Sequence, residues 1–256
     1  MDISGKTAIV TGSGTVTGIG AMTARALAAK GCNVVVNYLS NEETARETAT
    51  LCEAQGVDVL VCGADVSKDD DCRRLVGETM DRWGRLDVLV NNAATTKVIP
   101  QPDLDALDAE EFQRIFGVNV SGPYQMSRAA APHLKASGDA AIVNISSVGG
   151  WRAGGSSMAY CASKGALNTL TISLARVLAP EIRVNALCPG GLLGNWTRKI
   201  LSEEGYQKRV MEAETHYPLR RPVMPEDVAA TALWLIEGAH CMTGELIRID
   251  SGQHLL

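Results

Sequence analysis

The segment YCASK, Tyr160 to Lys164, sets a phenol and an ammonium four residues apart. In a helix that spacing puts both on one face, about one turn apart. A free tyrosine titrates near ~10, and a neighbouring ammonium favours its phenolate. Bringing the phenol down to about 7 takes roughly 4 kcal/mol, more than one lysine at the edge of water supplies. A second positive group beside the ring would add to it. Such a pair suits proton transfer to and from an oxygen. On its own the pattern also fits a surface pair of no consequence.

A second concentration is TGSGTVTGIG, residues 11–20. An apolar run leads into it and good helix formers follow Gly18-Ile19-Gly20. Backbone rich in glycine can approach a phosphate closely, and a helix N-terminus attracts anions. The count is unusual. In G-x-G-x-x-G read from Gly12 and Gly14, the third glycine falls on Thr17.

These groups need elements to hold them. Short apolar runs at Thr7–Thr11, Asn33–Tyr38, Val57–Cys62, Leu86–Asn91, Ala140–Ser146, Ile182–Cys188 and Glu245–Ile249 read as strands buried on both faces. Helical candidates lie between them at 19–30, 41–55, 68–83, 108–136, 157–179 and 225–237. This alternation predicts an α/β fold with right-handed crossovers and helices on both faces of the sheet. We find no linker and no repeat, so residues 1–256 read as one domain. Residues 190–222 break the rhythm and read as a helical lid.

In doubly wound sheets, ligands bind outside the carboxyl ends of the strands. Those ends carry small and polar residues: TGSGTVTGIG after the first strand, Asp65 after the third, and Asn91-Asn92-Ala93-Ala94 after the fourth. Ser146-Ser147 follows the fifth, and Pro189-Gly190-Gly191 the sixth. Turns favour such residues anyway, but five on one edge point to a site.

The chain has 46% hydrophobic and 21% charged residues and a net charge of −5, which offers no footprint for nucleic acid. It has no apolar run of about 18 residues, so no membrane span is expected. The seven cysteines form no C-x-x-C pair. Reduced thiols in a cytoplasm, with no metal site, are the expected reading.

Together these motifs resemble the short-chain dehydrogenase/reductase family over essentially the whole chain. The resemblance rests on Thr11-Gly12…Gly18-Ile19-Gly20, Asp65-Val66, Asn91-Asn92-Ala93 and Asn119 in GVNVSGP. It continues through IVNISSVGG, Tyr160-x-x-x-Lys164, Pro189-Gly190, PEDVA and TGELIRIDSG. Ser147, 13 residues before Tyr160, matches the family's serine better than Ser146.

The resemblance implies a single doubly wound Rossmann domain with a seven-stranded, mostly parallel sheet. It also implies an NAD(P)-dependent oxidoreductase acting on a ketone or secondary alcohol. Relatives of this pattern include 3-oxoacyl-carrier-protein reductases and sugar or polyol dehydrogenases; a cofactor-binding sensor or scaffold is the alternative from another class. In the implied roles Tyr160 is the acid/base and Ser147 binds the substrate oxygen. Lys164 lowers the tyrosine pKa and holds the nicotinamide ribose, beside which Tyr160 also stands. Asn119 holds a water leading from Lys164 to solvent. Gly12, Gly14, Thr17, Gly18, Ile19 and Gly20 form the phosphate loop. Asn37 and Tyr38 mark the ribose end, and Asp65 and Val66 contact adenine. Asn91 lines the cofactor cleft with Asn92, Ala93 and Ala94, and Pro189 and Gly190 close it. Asn119 also fits a helix-kink residue, and Asp65 a turn former.

Three departures from the family pattern matter. Ala94 stands in place of a glycine, so its turn must avoid positive φ or accept strain. Gly194 stands in place of a threonine that holds the carboxamide, with Thr197 as a substitute. The phosphate loop carries two extra residues, which we expect to bulge toward the adenosine ribose at a flexible Gly14.

The end of the second strand holds no acid before Glu42 to repel a 2′-phosphate, and no Arg or Lys in 37–41 to attract one. NADP(H) is therefore modestly favoured, otherwise NAD(H). Arg198, Lys199, Lys208, Arg209, Arg220 and Arg221 in the lid could meet an acidic carrier protein. Glu203, Glu204, Glu212 and Glu214 sit among them, and a solvated mixed-charge helix accounts for both. The family analogy implies a homotetramer built on the helices at 108–136 and 157–179, with the HLL tail near a subunit boundary.

Overall fold

The computed structural model describes residues 1–256, apart from the side chains of Asn195 and Lys199. Seven strands form one sheet in the order β3-β2-β1-β4-β5-β6-β7. They are β1 Thr7–Val10, β2 Asn33–Tyr38, β3 Val59–Gly63, β4 Val88–Asn91, β5 Ala140–Ile145, β6 Ile182–Pro189 and β7 Leu246–Ile249. Every pairing is parallel, so the expected "mostly parallel" sheet is wholly so. The apolar β-branched runs explain this: strands covered on both faces need no polar side.

Helices cover both faces. On one lie α1 Ile19–Ala28, α2 Glu42–Glu53 and α10 Pro225–Glu237, meeting the sheet through residues such as Leu27, Ala49 and Leu235. On the other lie α3 Asp69–Trp83, α5 Gly122–Ser137 and α7 Met158–Leu178, through Leu75, Leu134 and Leu174. Six cysteines are buried as free thiols and Cys241 is exposed. No helix among the described residues is long and apolar enough to cross a membrane.

Two elements differ from expectation. The predicted helix 108–136 is broken into α4 Ala109–Phe116, a π-helical turn Gly117–Ser121, and α5. In an α-helix the carbonyl of Asn119 would accept from residue 123, which is a proline without an N–H. The chain answers with wider winding, and the Gly122 N–H reaches back to Gly117 O. A short α6, Gly149–Arg152, precedes α7 and was not expected. Residues 190–222 hold two helices, α8 Asn195–Ile200 and α9 Glu203–His216.

The chain reverses direction across the sheet between β1 and β4, the switch point where a crevice opens in such sheets.

Candidate active site

A cavity of about 920 Å³ runs along the carboxyl ends of β1 to β6. Its first wall is the turn after β1. Gly12 has φ +61° and lies so close to Ala93 that a Cβ would come within 2.8 Å of the Ala93 Cα. Its N–H donates to Asn37 Oδ1 at 3.0 Å. Ser13 is buried: its hydroxyl donates to Val10 O and accepts from the Asn37 N–H, pinning the turn to β2. A Cβ on Gly20 would lie 2.5 Å from Asn92 Nδ2 and 2.7 Å from Gly12 O. That contact is why only glycine opens this helix.

Helix α1 begins at Ile19 with no side-chain cap and no acid in its first turn. By contrast α2, α3, α4 and α9 carry acids there. The first-turn N–H groups of α1 therefore keep their positive end for an external anion. Gly18, Ile19 and Gly20 all line the cavity. A diphosphate fits this cradle: close-packed glycine backbone on one side, an uncapped helix end on the other.

In the lengthened loop, Thr15 and Thr17 line the cavity. Gly14 does not. It packs so tightly that a Cβ would lie 2.7 Å from the Tyr38 Cβ, and its carbonyl accepts from the Thr44 hydroxyl at 2.6 Å. The expected flexible, cofactor-touching Gly14 is a packing glycine, and the turn itself is closed by the Gly18 N–H to Thr15 O.

Two other assignments shift by one residue. Tyr38 lies outside the cavity lining, its ring over Gly63 and its hydroxyl on Glu42; Asn37 and Leu39 line the cavity instead. Asn91 also lies outside it, donating to Asn144 Oδ1 and Ser127 Oγ inside the fold. Asn92 lines the cavity and ties Thr11 and Gly12 through their carbonyls. In both cases strand pleat decides: neighbouring residues face opposite sides.

Asp65 and Val66 line the cavity as expected. One Asp65 oxygen closes the turn by accepting from the Ser67 N–H and hydroxyl, so this residue is a turn former as well. Ala93 and Ala94 line the cavity, and Ala94 avoids positive φ.

At the far end stand Ser147, Tyr160, Lys164, Pro189 and Gly190. Ser157 caps α7 by accepting from the Tyr160 N–H, which fixes the start of the helix and so the face carrying Tyr160 and Lys164. Ser147 accepts from the Gly149 N–H at 3.0 Å, held by the turn into α6. Burial pushes the Tyr160 phenol up to about 12, and a hydrogen bond with Ser147 works against that rise. Lys164 is 2% exposed; burial lowers its ammonium to about 8. Its Nζ donates to Ile145 O at 2.8 Å and lies 5.6 Å from the centre of the Tyr160 ring. The expected lowering of the tyrosine by this lysine is therefore not the ruling effect here: the ammonium is turned to the Ile145 carbonyl, and desolvation dominates.

Asn119 lies outside the cavity lining. Its amide accepts from Thr95 N and donates to Thr95 O and Ser163 Oγ, tying the loop after β4 to α7. It sits in the π turn, so the kink reading of this residue is the one the backbone displays.

Val98, Arg152 and Gln253 also line the cavity and have no counterpart in the sequence reading, whereas Leu192 and Tyr217 belong to the 190–222 segment. The glycine-rich GGWRAGG stretch before Tyr160 was a signal for Arg152; nothing in the sequence marked Gln253, which the Arg152 guanidinium holds by its carbonyl at 2.7 Å. From the lid, Trp196, Thr197, Arg209 and Glu212 line the cavity. The Thr197 hydroxyl donates to Leu192 O. Arg198 pairs with Glu203 and covers Tyr206, and Arg221 pairs with Asp227. The Lys199 side chain is outside the described residues. Among the described residues no cluster of His, Cys, Asp or Glu is placed to hold a metal.

A family model described as "Enoyl-(Acyl carrier protein) reductase" matches residues 12–254. A ketoacyl reductase assigned to granaticin polyketide synthase in Streptomyces violaceoruber is 41% identical over 249 residues, 97% of this chain and 96% of that one. Glucose 1-dehydrogenase 2 of Bacillus subtilis (strain 168) is 35% identical, covering 99% and 96%. A crystal structure from Burkholderia xenovorans, described as a short-chain dehydrogenase/reductase, superposes with a TM-score of 0.90 at 40% identity, covering 98% of each chain. The chain belongs to the short-chain dehydrogenase/reductase family. It is an oxidoreductase that works with a nicotinamide cofactor.

Proposed function

We propose that the chain reduces a ketone, with Tyr160 as proton donor, in the manner of a ketoacyl reductase. The observation that carries this is the Tyr160 phenol on the cavity wall beside Ser147, with Lys164 Nζ 5.6 Å from the centre of its ring. At neutral pH it is fully protonated and ready to give its proton to an oxygen that is gaining charge. Ser147 donates to the same oxygen. Lys164 stands behind the phenol and reaches the ribose hydroxyls, and Asn119 positions the loop after β4 against α7. When bound, the reduced nicotinamide supplies the hydride. Gly12 and Gly18 to Gly20 hold its diphosphate, Asp65 and Val66 its adenine, and Asn92 to Ala94 with Pro189 and Gly190 its nicotinamide half. Thr197 serves the carboxamide in place of Gly194.

Apolar Trp196, Ile200 and Leu201 in the cavity favour a ketone over a polyol, which would need hydrogen bonds around its whole length. The intact Ser147, Tyr160 and Lys164 argue against a sensor without turnover. At the ribose end, Thr15, Thr17, Asn37 and Leu39 line the cavity with neither carboxylate nor cation. Nothing there repels a 2′-phosphate and threonine hydroxyls can donate to it, so NADP(H) is modestly preferred. We further read residues 1–256 as one domain with a substrate lid at 190–222, in a homotetramer, and the buried unpaired thiols as suited to a reducing cytoplasm.

Tyr160→Phe tests the assignment. Turnover should fall at least a hundredfold while binding of both reduced cofactors, titrated by fluorescence, stays within about twofold. Retention of more than a tenth of kcat sinks the role of Tyr160. Tighter NADH than NADPH binding reverses the cofactor preference.

A further inference from the structure

Trp196 sits in the second position of α8 with its ring centre 6.4 Å from that of Tyr160, tilted by 35°. It lines the cavity, yet 40% of it is exposed. An indole buries a large apolar area when it is covered. An indole left open on the cavity wall beside the reacting phenol offers that area to a ligand. Ile200 and Leu201 from the end of the same helix, Leu192 before it and Val98 after β4 extend the apolar lining.

We propose that Trp196 is a stacking platform that selects ketones carried on a flat aromatic ring system. A planar ring lying on the indole meets its whole face. A flexible alkyl chain meets it along a line and loses rotational freedom in doing so. With the ring on Trp196, a carbonyl at the ring edge comes under the Tyr160 phenol, which gives up its proton to the oxygen as the hydride arrives at the carbonyl carbon. The inference rests on Tyr160 being the proton donor, as proposed above.

The test compares 2-tetralone with 2-decanone, a linear ketone of matched carbon number, in wild type, Trp196→Phe and Trp196→Leu. Wild type should favour 2-tetralone in kcat/KM by about tenfold. Trp196→Phe should keep most of that preference. Trp196→Leu should lose roughly fivefold on 2-tetralone, mainly in KM, and little on 2-decanone. Unchanged cofactor binding in both variants shows that the lid still folds. Equal or better use of 2-decanone by wild type, or an equal loss on both ketones in Trp196→Leu, overturns the proposal. The Tyr160→Phe experiment fails independently: turnover surviving there removes the proton donor assignment, and the ring preference is still read from the tetralone-to-decanone ratio.

Discussion

Lys164 carries the site's electrostatic cost. Its ammonium is buried and lowered from 10.5 to about 8. An unfolded chain keeps that proton up to about 10.5. Between these two values the unfolded state therefore binds more protons, and raising the pH favours the fold. Below about 8 the full penalty remains. We expect the stability of wild type relative to Lys164→Met, measured by denaturant unfolding, to rise as pH goes from 8 to 10. A flat or falling difference would show that the Ile145 carbonyl fully compensates the buried charge. At this scale the sequence pointed to strand ends that line the cavity, and some of its positions there are off by one. Composition names a strand end without fixing its pleat, so it does not separate Asn91 from Asn92 or Tyr38 from Asn37. One step along a strand reverses the face. Leu39 was hidden for the same reason.

Among the elements, the loop from Ser13 to Thr17 separates two demands. In the proposed reading Gly12 and the α1 terminus hold the diphosphate, while Ser13 and Gly14 pack on β2. Extra loop length costs only about 0.6 kcal/mol per doubling, so the insertion is cheap. Deleting Val16 and Thr17 should leave the fold intact and weaken cofactor binding by no more than roughly tenfold, about 1.4 kcal/mol. The loss should fall more on NADPH than on NADH in a fluorescence titration. Equal abolition of both would mean that the inserted residues themselves cradle the diphosphate. Helices and strands were legible where periodicity was strong, and all seven strands lie where apolar runs stood. The break at Gly117–Ser121 was not, because a π turn preserves the helical rhythm on both sides. Pro123 marks it only once the hydrogen-bond partner of Asn119 is counted back. The four-residue α6 and the two lid helices are too short or too polar to show a period.

For the whole molecule, the apolar surface is unevenly spent. Tyr124 on α5, Ile172 and Val177 on α7, Trp234 on α10 and the tail residues Leu255 and Leu256 all remain exposed. Patches of this kind on long helices suit burial between copies of the chain. Light scattering at micromolar concentration should give the mass of a tetramer, and a monomeric mass would contradict the assembly. Strand order has a different consequence. The chain lays β1, β2 and β3 on one flank of the sheet before crossing to β4 through β7 on the other. In the proposed reading every residue at the adenosine end, from Gly12 to Val66, thus falls within the first 66 residues, and those around Tyr160 come later. A chimaera joined near Gly84, where α3 ends, would inherit its coenzyme preference from one parent and its choice of ketone from the other.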